Sequence, residues 1–439
     1  MTRPTSSQEG EMRPTIEAEP RRKNLLLRDR DFRLFWLGET TSTLGSQMVV
    51  VVVPLIALEV LHTGTLAVGL LQSCLWLPWF VISLPVGAWV DRHAKRPIML
   101  IADIVAFLAF VSIPIAAWTG AITIVELVIA LLIGGGAQVF FSNAYQPYLR
   151  SLLTAQDRSE GNAILEASGT TSQVAGPGVG GIVSQLFGAV SGMLINGLTF
   201  AYSAFCLMRI SVSEPVREPP EGPQTSLRTE IKEGLVFVAR NPYLRVMALY
   251  EGLGNIGDAM MTAVAIVFLV RTLGVNAAVA GVLVAVTNIG GILGALGTVR
   301  LCRRLGTARA LLWSVAITAP FTLLIPLSFH DGGLAFFVVG GAVYLAGISV
   351  ANVVISTFVQ TYVPERLLGR CSGAITLLER GCMPLGGLIG AILGSAYSPR
   401  IALLAAGLVM TLSTGALLIG PIRHRRDLPS ELVAGGEQT

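Results

Sequence analysis

Twelve apolar runs succeed one another along this chain, separated by short polar or charged stretches. They fall near residues 34–61, 66–90, 97–119, 121–145, 162–187, 190–211, 244–271, 276–301, 309–329, 333–360, 371–396 and 400–422. Each is close to the roughly 20 residues a helix needs to cross a bilayer. Several contain Gly or Pro, which membrane helices tolerate where neighbours satisfy the backbone. The pattern is interrupted once, between the sixth and seventh runs, by SVSEPVREPPEGPQTSLRTEIKEGLVFVARNP. Its first part reads as a Pro/Glu linker. Its second part has Leu227, Ile231, Leu235 and Val238 at helical spacing, with Lys232, Glu233 and Arg240 elsewhere on the wheel. This predicts a short amphipathic helix on the membrane surface; a plain tether is the alternative. The expected divisions are a tail over 1–33, a six-helix half over 34–211, a linker over 212–243, a second half over 244–422 and a tail over 423–439.

The two halves repeat. At an offset of 212, Glu39 matches Glu251, Gly45 matches Gly257, Gly69 matches Gly281 and Arg92 matches Arg304. Further on, Asp157-Arg158 matches Glu365-Arg366 and Gly161 matches Gly369, an offset of 208. The second half thus reads as four residues shorter, between its third and fourth spans. Two internally related six-span halves are the plan of many secondary transporters, with the substrate site between the halves near the bilayer midplane.

Composition agrees with a bilayer as solvent. The 439 residues are 53% hydrophobic and 13% charged, against about 25% charged in soluble domains. The net charge of +4 does not point to nucleic acid, because the basic residues cluster at the ends of apolar runs. Arg21, Arg22, Lys23, Arg28, Arg30 and Arg33 precede the first span, and further clusters follow even-numbered spans. Only Arg271 and Arg400 fall on the other side. The Lys/Arg bias therefore predicts both termini in the cytoplasm, in the inner (plasma) membrane. Residues 1–24, polar and rich in Pro, Glu and Arg, read as a disordered tail with no signal-peptide core. The five cysteines have no metal-ligand spacing and no disulfide is expected. No nucleotide loop, metal cluster or nucleophile constellation suggests an enzyme or a cofactor. A monomer is expected, surrounded by membrane lipids.

The charged knot GAWVDRHAKRP lies between spans two and three. Gly87 lets two helices approach closely. Asp91 can accept hydrogen bonds at a helix N-terminus, while Arg92, Lys95 and Arg96 can bind carboxylates or anionic headgroups. The pattern Gly87-x-x-x-Asp91-Arg92-x-x-Lys95-Arg96 resembles the signature loop of the major facilitator superfamily, with Ala94 where Gly is usual. DFRLFWLGETTSTLGSQM and EGLVFVARNPYLR resemble that superfamily's branch of macrolide-type drug exporters and the enterobactin exporter. The resemblance implies an all-α membrane fold of twelve helices in two pseudo-symmetric halves. It also implies that Asp91 latches onto the start of span eleven, near Arg370-Cys371-Ser372, when the protein faces outward. The matching loop RRLGTAR has Arg303 in Asp91's place, so the latch is one-sided. A mere topology anchor would explain the cations but not Asp91.

Span five contains GPGVGG, with Gly176, Pro177, Gly180 and Gly181. Pro177 frees a backbone carbonyl and bends the helix, and the glycines permit tight packing. The stretch resembles the span-five motif of proton-driven exporters, which implies a hinge and a seal against proton leak; a packed, kinked helix is the plainer reading.

A charge near the bilayer centre costs about 2.5–3.5 kcal/mol on insertion scales, so intramembrane acids are functional candidates. Glu251, Asn255, Asp258 and Thr262 share one face of span seven, and Glu39, Thr43 and Ser46 the matching face of span one. The two stripes read as two walls of one cavity, with Asp258 about 10 Å deeper than Glu251. Low-dielectric burial favours the neutral form of a carboxyl group, so such an acid could carry a proton, as an exchanger needs. Structural pairing with Arg380 or Asn255 is the other reading. Gln138, Asn143, Tyr145, Asn352, Ser356 and Gln360 are cavity candidates from spans four and ten. Asp103, Glu126, Glu166 and Glu379 are further acids. Drug exporters of this superfamily usually carry an Arg in span four; none stands between Thr119 and Tyr148 here.

The leading expectation is a proton-coupled exporter of an amphipathic small molecule, such as an antibiotic or a siderophore, working by alternating access. A nutrient or lipid importer and a non-transporting membrane sensor of the same fold are the alternatives.

Overall fold

The computed structural model describes residues 25–212 and 227–429; the extreme tails and the Pro/Glu part of the linker lie outside them. Among the described residues the chain is helical, without strands. A single turn, α1 (Leu25–Arg28), precedes the first half: α2 (Arg30–Leu55), α3 (Thr65–Asp91), α4 (Lys95–Trp118), α5 (Ile124–Leu152), α6 (Arg158–Phe187) and α7 (Ala189–Arg209). The linker contributes α8 (Leu227–Arg240). The second half is α9 (Pro242–Val267), α10 (Ala277–Leu305), α11 (Thr307–Thr318), α12 (Leu334–Tyr362), α13 (Glu365–Gly381), α14 (Met383–Ala396) and α15 (Pro399–Ile419).

Caps set several of these starts. The Asn241 side chain accepts from the amides of Tyr243 and Leu244, with Pro242 opening α9. Asn276 accepts from Val279 and Thr123 from Glu126 in the same way. Such caps satisfy orphan first-turn donors and contribute about 1 kcal/mol each. Among the described residues, eleven helical runs are long and apolar enough to cross a membrane. The twelfth, α6, spans 30 residues but carries Ser, Thr, Asn, Gln and Glu among its apolar positions. Two expected spans are less regular than their hydropathy implies. The ninth continues past α11 as a 3-10 stretch, Ala319–Leu327, which contains Pro320 and Pro326. The eleventh breaks at Cys382 into α13 and α14, with Pro384 in the first turn of α14, where it lacks only an amide that has no helical partner.

The repeat is visible in three dimensions. α2 and α9 start 212 residues apart, as do α3 and α10. The outer ends of the first helix in each half loosen into π turns, Ile56–Val60 and Phe268–Thr272, again 212 apart. From the fourth helix the offset is 210, Ile124 against Leu334, and it is the same for the sixth, Ala189 against Pro399. Two residues, not four, are therefore lost between the third and fourth helices. The offset near 208 belongs only to the shorter turn before α13.

Within the halves α2 packs on α6 and α7, and α9 on α14 and α15. Between them α3 packs on α14 and α6 on α10, two seams related by the pseudo-symmetry. The linker helix forms, and Leu235 and Val238 pack with Cys371 and Ala374 of α13; the side chains of Leu227 and Ile231 lie outside the described residues. Glu233 pairs with Arg370 there, and Gly234 lies against the Arg370 carbonyl, where no larger residue fits.

Candidate functional site

A polar pocket of about 200 Å³ opens between α2, α5 and α6. α2 supplies Glu39, Thr40 and Thr43; α5 supplies Tyr145 and Gln146; α6 supplies Asn162, Leu165, Glu166, Ser168 and Gly169. Helical spacing of four puts Thr43 over Glu39, and its hydroxyl donates to Oε1 at 3.3 Å. The other oxygen, Oε2, and the Thr40 hydroxyl are shut off from solvent without a hydrogen-bond partner. The Tyr145 ring rests on Phe35, centroids 5.4 Å apart. The Trp36 indole donates to Ser168 Oγ at 2.7 Å, tying α2 to α6. Behind Glu39 lies Asp103 of α4, buried beside Ser203 and within electrostatic reach of Glu39. Its Oδ2 also lacks a partner.

The other α2 and α5 candidates lie apart from this pocket. Ser46 turns its hydroxyl back to the Ser42 carbonyl, 2.9 Å. Asn143 donates to the Val139 carbonyl at 2.8 Å, and its Oδ1 would stand 3.0 Å from a Cβ at Gly87. Gln138 is half-buried in α5.

The stripe on α9 divides between two surroundings. Asn255 donates to the Glu251 carbonyl at 2.9 Å. Arg380 pairs with neither α9 acid; its guanidinium lies 4.0 Å over the Trp79 ring of α3. Asp258 and Thr262 line a second, smaller cavity, about 50 Å³, with Gln72, Ser73 and Trp76 of α3 and Met383 and Gly387 around the start of α14. Thr43 and Glu39 thus line the first cavity, and Asp258 and Thr262 the second. Glu39 faces the first-half pocket, and Asp258 sits beside the α3–α14 seam. Asn352 and Ser356 are exposed on α12, where Gln360 donates to Ser356 Oγ at 3.2 Å.

The seams are tight at the end away from the termini. On one side, a Cβ at Gly181 would come within 2.5 Å of the Ala277 carbonyl and 2.9 Å of Gly281 Cα. Gly176 and Gly180 face α2 instead, Gly180 against the Met48 carbonyl at 3.0 Å. Pro177 has no amide to give the Gln173 carbonyl four residues earlier. Asn288 of α10 supplies the donor, Nδ2 to O 2.6 Å, across the seam. On the other side, the Ser73 hydroxyl reaches its own helix at the Gly69 carbonyl, 2.9 Å, and the Pro384 carbonyl of the opposite half, 3.2 Å.

The charged knot lies at the end bearing the termini. The knot is stapled within its own half. Lys95 Nζ donates to the carbonyls of Val90, Asp91 and His93, and Arg96 to those of Leu207 and Met208. Arg92 is exposed. The Asp91 carboxylate is also exposed and makes no ion pair among the described residues. Arg370, beside its expected partner, is held by Glu233. Among the described residues no cluster of His, Cys, Asp and Glu is arranged to hold a metal, and the cysteines are unpaired.

Sequence reasoning overlooked Thr40, Gln146, Asn162, Ser168, Ser73 and Asn288. For Asn288 a signal existed: the missing Pro177 amide demands a foreign donor for Gln173.

The sequence model of the Major Facilitator Superfamily matches residues 35–383 and 252–437. The chain is 27% identical over 412 residues to the multidrug efflux pump Tap of Mycolicibacterium fortuitum, covering 91% of this chain and 97% of that one. It is 26% identical over 176 residues to multidrug resistance protein 1 of Bacillus subtilis, covering 40% and 43%. Among solved structures it resembles a mutant of the nucleoside transporter NupG, with a TM-score of 0.75 at 13% identity, covering 88% and 99%. A bacterial homologue of the iron transporter ferroportin, in an inward-facing state, superimposes with a TM-score of 0.72 at 15% identity, covering 90% and 98%. At those identities the structural likeness speaks for the fold.

Proposed function

The chain belongs to the Major Facilitator Superfamily, and on that premise we propose that it is a proton-coupled exporter of an amphipathic small molecule. It is a multi-span membrane transport protein. In the proposed cycle it works as a monomer in the inner (plasma) membrane with both termini in the cytoplasm. The state described above then opens to the cytoplasm, the side on which an exporter loads.

The observation that carries the reading is the placement of the acids. Glu39 lines the pocket on the open side, whereas Asp258 lies beside the shut seam. Cargo enters next to Glu39. Rocking of the halves then parts α3 from α14 and α6 from α10, and Asp258 meets the outer solution. A carboxyl group that changes surroundings in this way changes its proton affinity, which couples proton entry to the return step. The kinship to multidrug efflux pumps supports outward transport.

The test is accumulation of fluorescent drugs in everted membrane vesicles, with and without an imposed inside-acid pH gradient. Gradient-dependent accumulation with matching proton release is expected. Accumulation indifferent to the gradient would remove proton coupling; no accumulation of any compound in a broad drug panel would remove the exporter reading.

A further inference from the structure

Helix α10 carries an exposed apolar stripe that ends in arginines. Val282, Val286, Ile289, Leu293 and Leu296 recur at spacings of three and four, which is one face of a helix. All five are exposed, Leu296 to 76%. The same spacing carries this face on to Arg300, Arg303 and Arg304, which are exposed as well. α10 meets its neighbours on other faces. Gly281 lies against Pro177 and Gly181 of α6, and Gly290 and Gly294 against Ala342 and Ala346 of α12. The stripe is thus left to the surroundings of the helix, which in a bilayer are acyl chains.

The C-terminal segment adds further arginines at the same end. After α15 the chain turns back over the loop between α10 and α11. The Arg426 carbonyl accepts from the amides of Ala308 and Arg309, at 3.1 and 3.3 Å. Asp427 Oδ1 accepts from the Thr307 amide at 2.9 Å, and the Leu428 amide donates to Thr307 Oγ1 at 2.9 Å. Gly306 makes room for this clasp: its φ is +89°, and a Cβ there would strike the Arg426 carbonyl. Arg309, Arg423, Arg425 and Arg426 are all exposed. The loop 300–309 contains no acid, and the segment 421–429 contains one, Asp427, which is engaged at the start of α11.

Orientation by charge needs cations at this end of the molecule. It does not need a tail fastened among them, since bringing like charges together costs energy unless an anion joins them. We infer that the basic end of α10 and the clasped tail form one binding site for an anionic phospholipid. An acyl chain lies along the stripe from Val286 to Leu296, and the phosphate meets Arg300, Arg304 and Arg426. An apolar surface running into a cluster of cations has the outline of such a lipid. The first-half loop is built otherwise. It keeps Asp91, and there Lys95 and Arg96 are engaged with backbone carbonyls.

The test is native mass spectrometry of the delipidated full-length protein, titrated with phosphatidylglycerol or phosphatidylcholine bearing the same acyl chains. Phosphatidylglycerol should bind about tenfold more tightly than phosphatidylcholine. Two double variants probe the two parts of the site: Arg300→Gln with Arg304→Gln on the helix, and Arg423→Gln with Arg426→Gln on the tail. Each should weaken phosphatidylglycerol binding about fivefold or more. These side chains are exposed, and a gel-filtration profile checks that the variants remain folded. Arg245→Gln, which removes an exposed arginine of α9 outside the site, should bind as the wild type does. Glycerol 3-phosphate, the headgroup chemistry without chains, should not compete. Equal affinity for the two lipids, either double variant within about twofold of the wild type, an equal loss in Arg245→Gln, or full competition by glycerol 3-phosphate would overturn the assignment.

Discussion

Asn288 of one half donates a hydrogen bond to the backbone carbonyl of Gln173 in the other, and that carbonyl is free because Pro177 has no amide. The proline thus creates an acceptor on α6 that only the opposite half satisfies. Asn288→Ala leaves it unmet whenever the seam is shut. The expected cost to the shut seam is about 1 kcal/mol, since the site is near solvent. The balance should shift about fivefold toward the oppositely open state. The reaction rate of a single cysteine at Ala285→Cys, in a background lacking the native cysteines, reads this shift. An unchanged rate would mean that the bond does not hold the seam.

Gly180 and Gly181 are adjacent but guard different contacts. A Leu at 181 meets Ala277 and Gly281 of the other half, whereas a Leu at 180 meets Met48 of its own half. Overpacking costs about 1–3 kcal/mol. Gly181→Leu should abolish efflux while leaving thermal stability near the wild type, because the halves can move apart. Gly180→Leu should abolish efflux and also lower the melting temperature. Normal efflux by both variants would mean that this face of α6 does not need to close.

Asp91→Asn keeps shape and removes charge. The carboxylate is exposed and unpaired in this conformation, so melting temperature should barely change, within about 0.5 kcal/mol. If Asp91 latches span eleven when the other end opens, transport should fall severely. Wild-type transport by the variant in vesicles would reduce the knot to a topology anchor.

Asp258 lines the cavity beside the α3–α14 seam, and Glu39 the pocket between α2, α5 and α6. If Asp258 is the coupling acid, Asp258→Asn should still bind its drug and equilibrate it downhill, yet lose accumulation against a gradient. Glu39→Gln should lose both, and Glu251→Gln is the third variant to compare. Full gradient-driven efflux by all three would move the coupling role to Glu126 or Glu166.

The spans, the repeat and the kinship were legible in the sequence because lipid forces nearly every buried helix to be apolar along its length. α6 was the least obvious span, since its Ser, Thr and Asn positions oppose the hydropathy signal that marks a helix. Glu39, Thr43 and Tyr145, all singled out in the sequence, line one pocket. The placing of Asp258 beside the α3–α14 seam was not legible. A polar stripe tells which face of α9 is special but not which neighbour covers it, and α3 and α14 come from distant stretches. The break at Cys382 was hidden for a related reason: α13 and α14 are both consistent with one continuous apolar run, and Pro384 alone marks the division.

The two π turns have a consequence of another kind. A π turn closes its ring over five residues instead of four, so it accommodates one extra residue in an otherwise regular helix. Ile56–Val60 and Phe268–Thr272 stand at the same register of their halves, 212 residues apart. Two separate insertions would have had to strike the same position twice. A single insertion in an ancestral six-helix gene, made before that gene was doubled, leaves both copies marked.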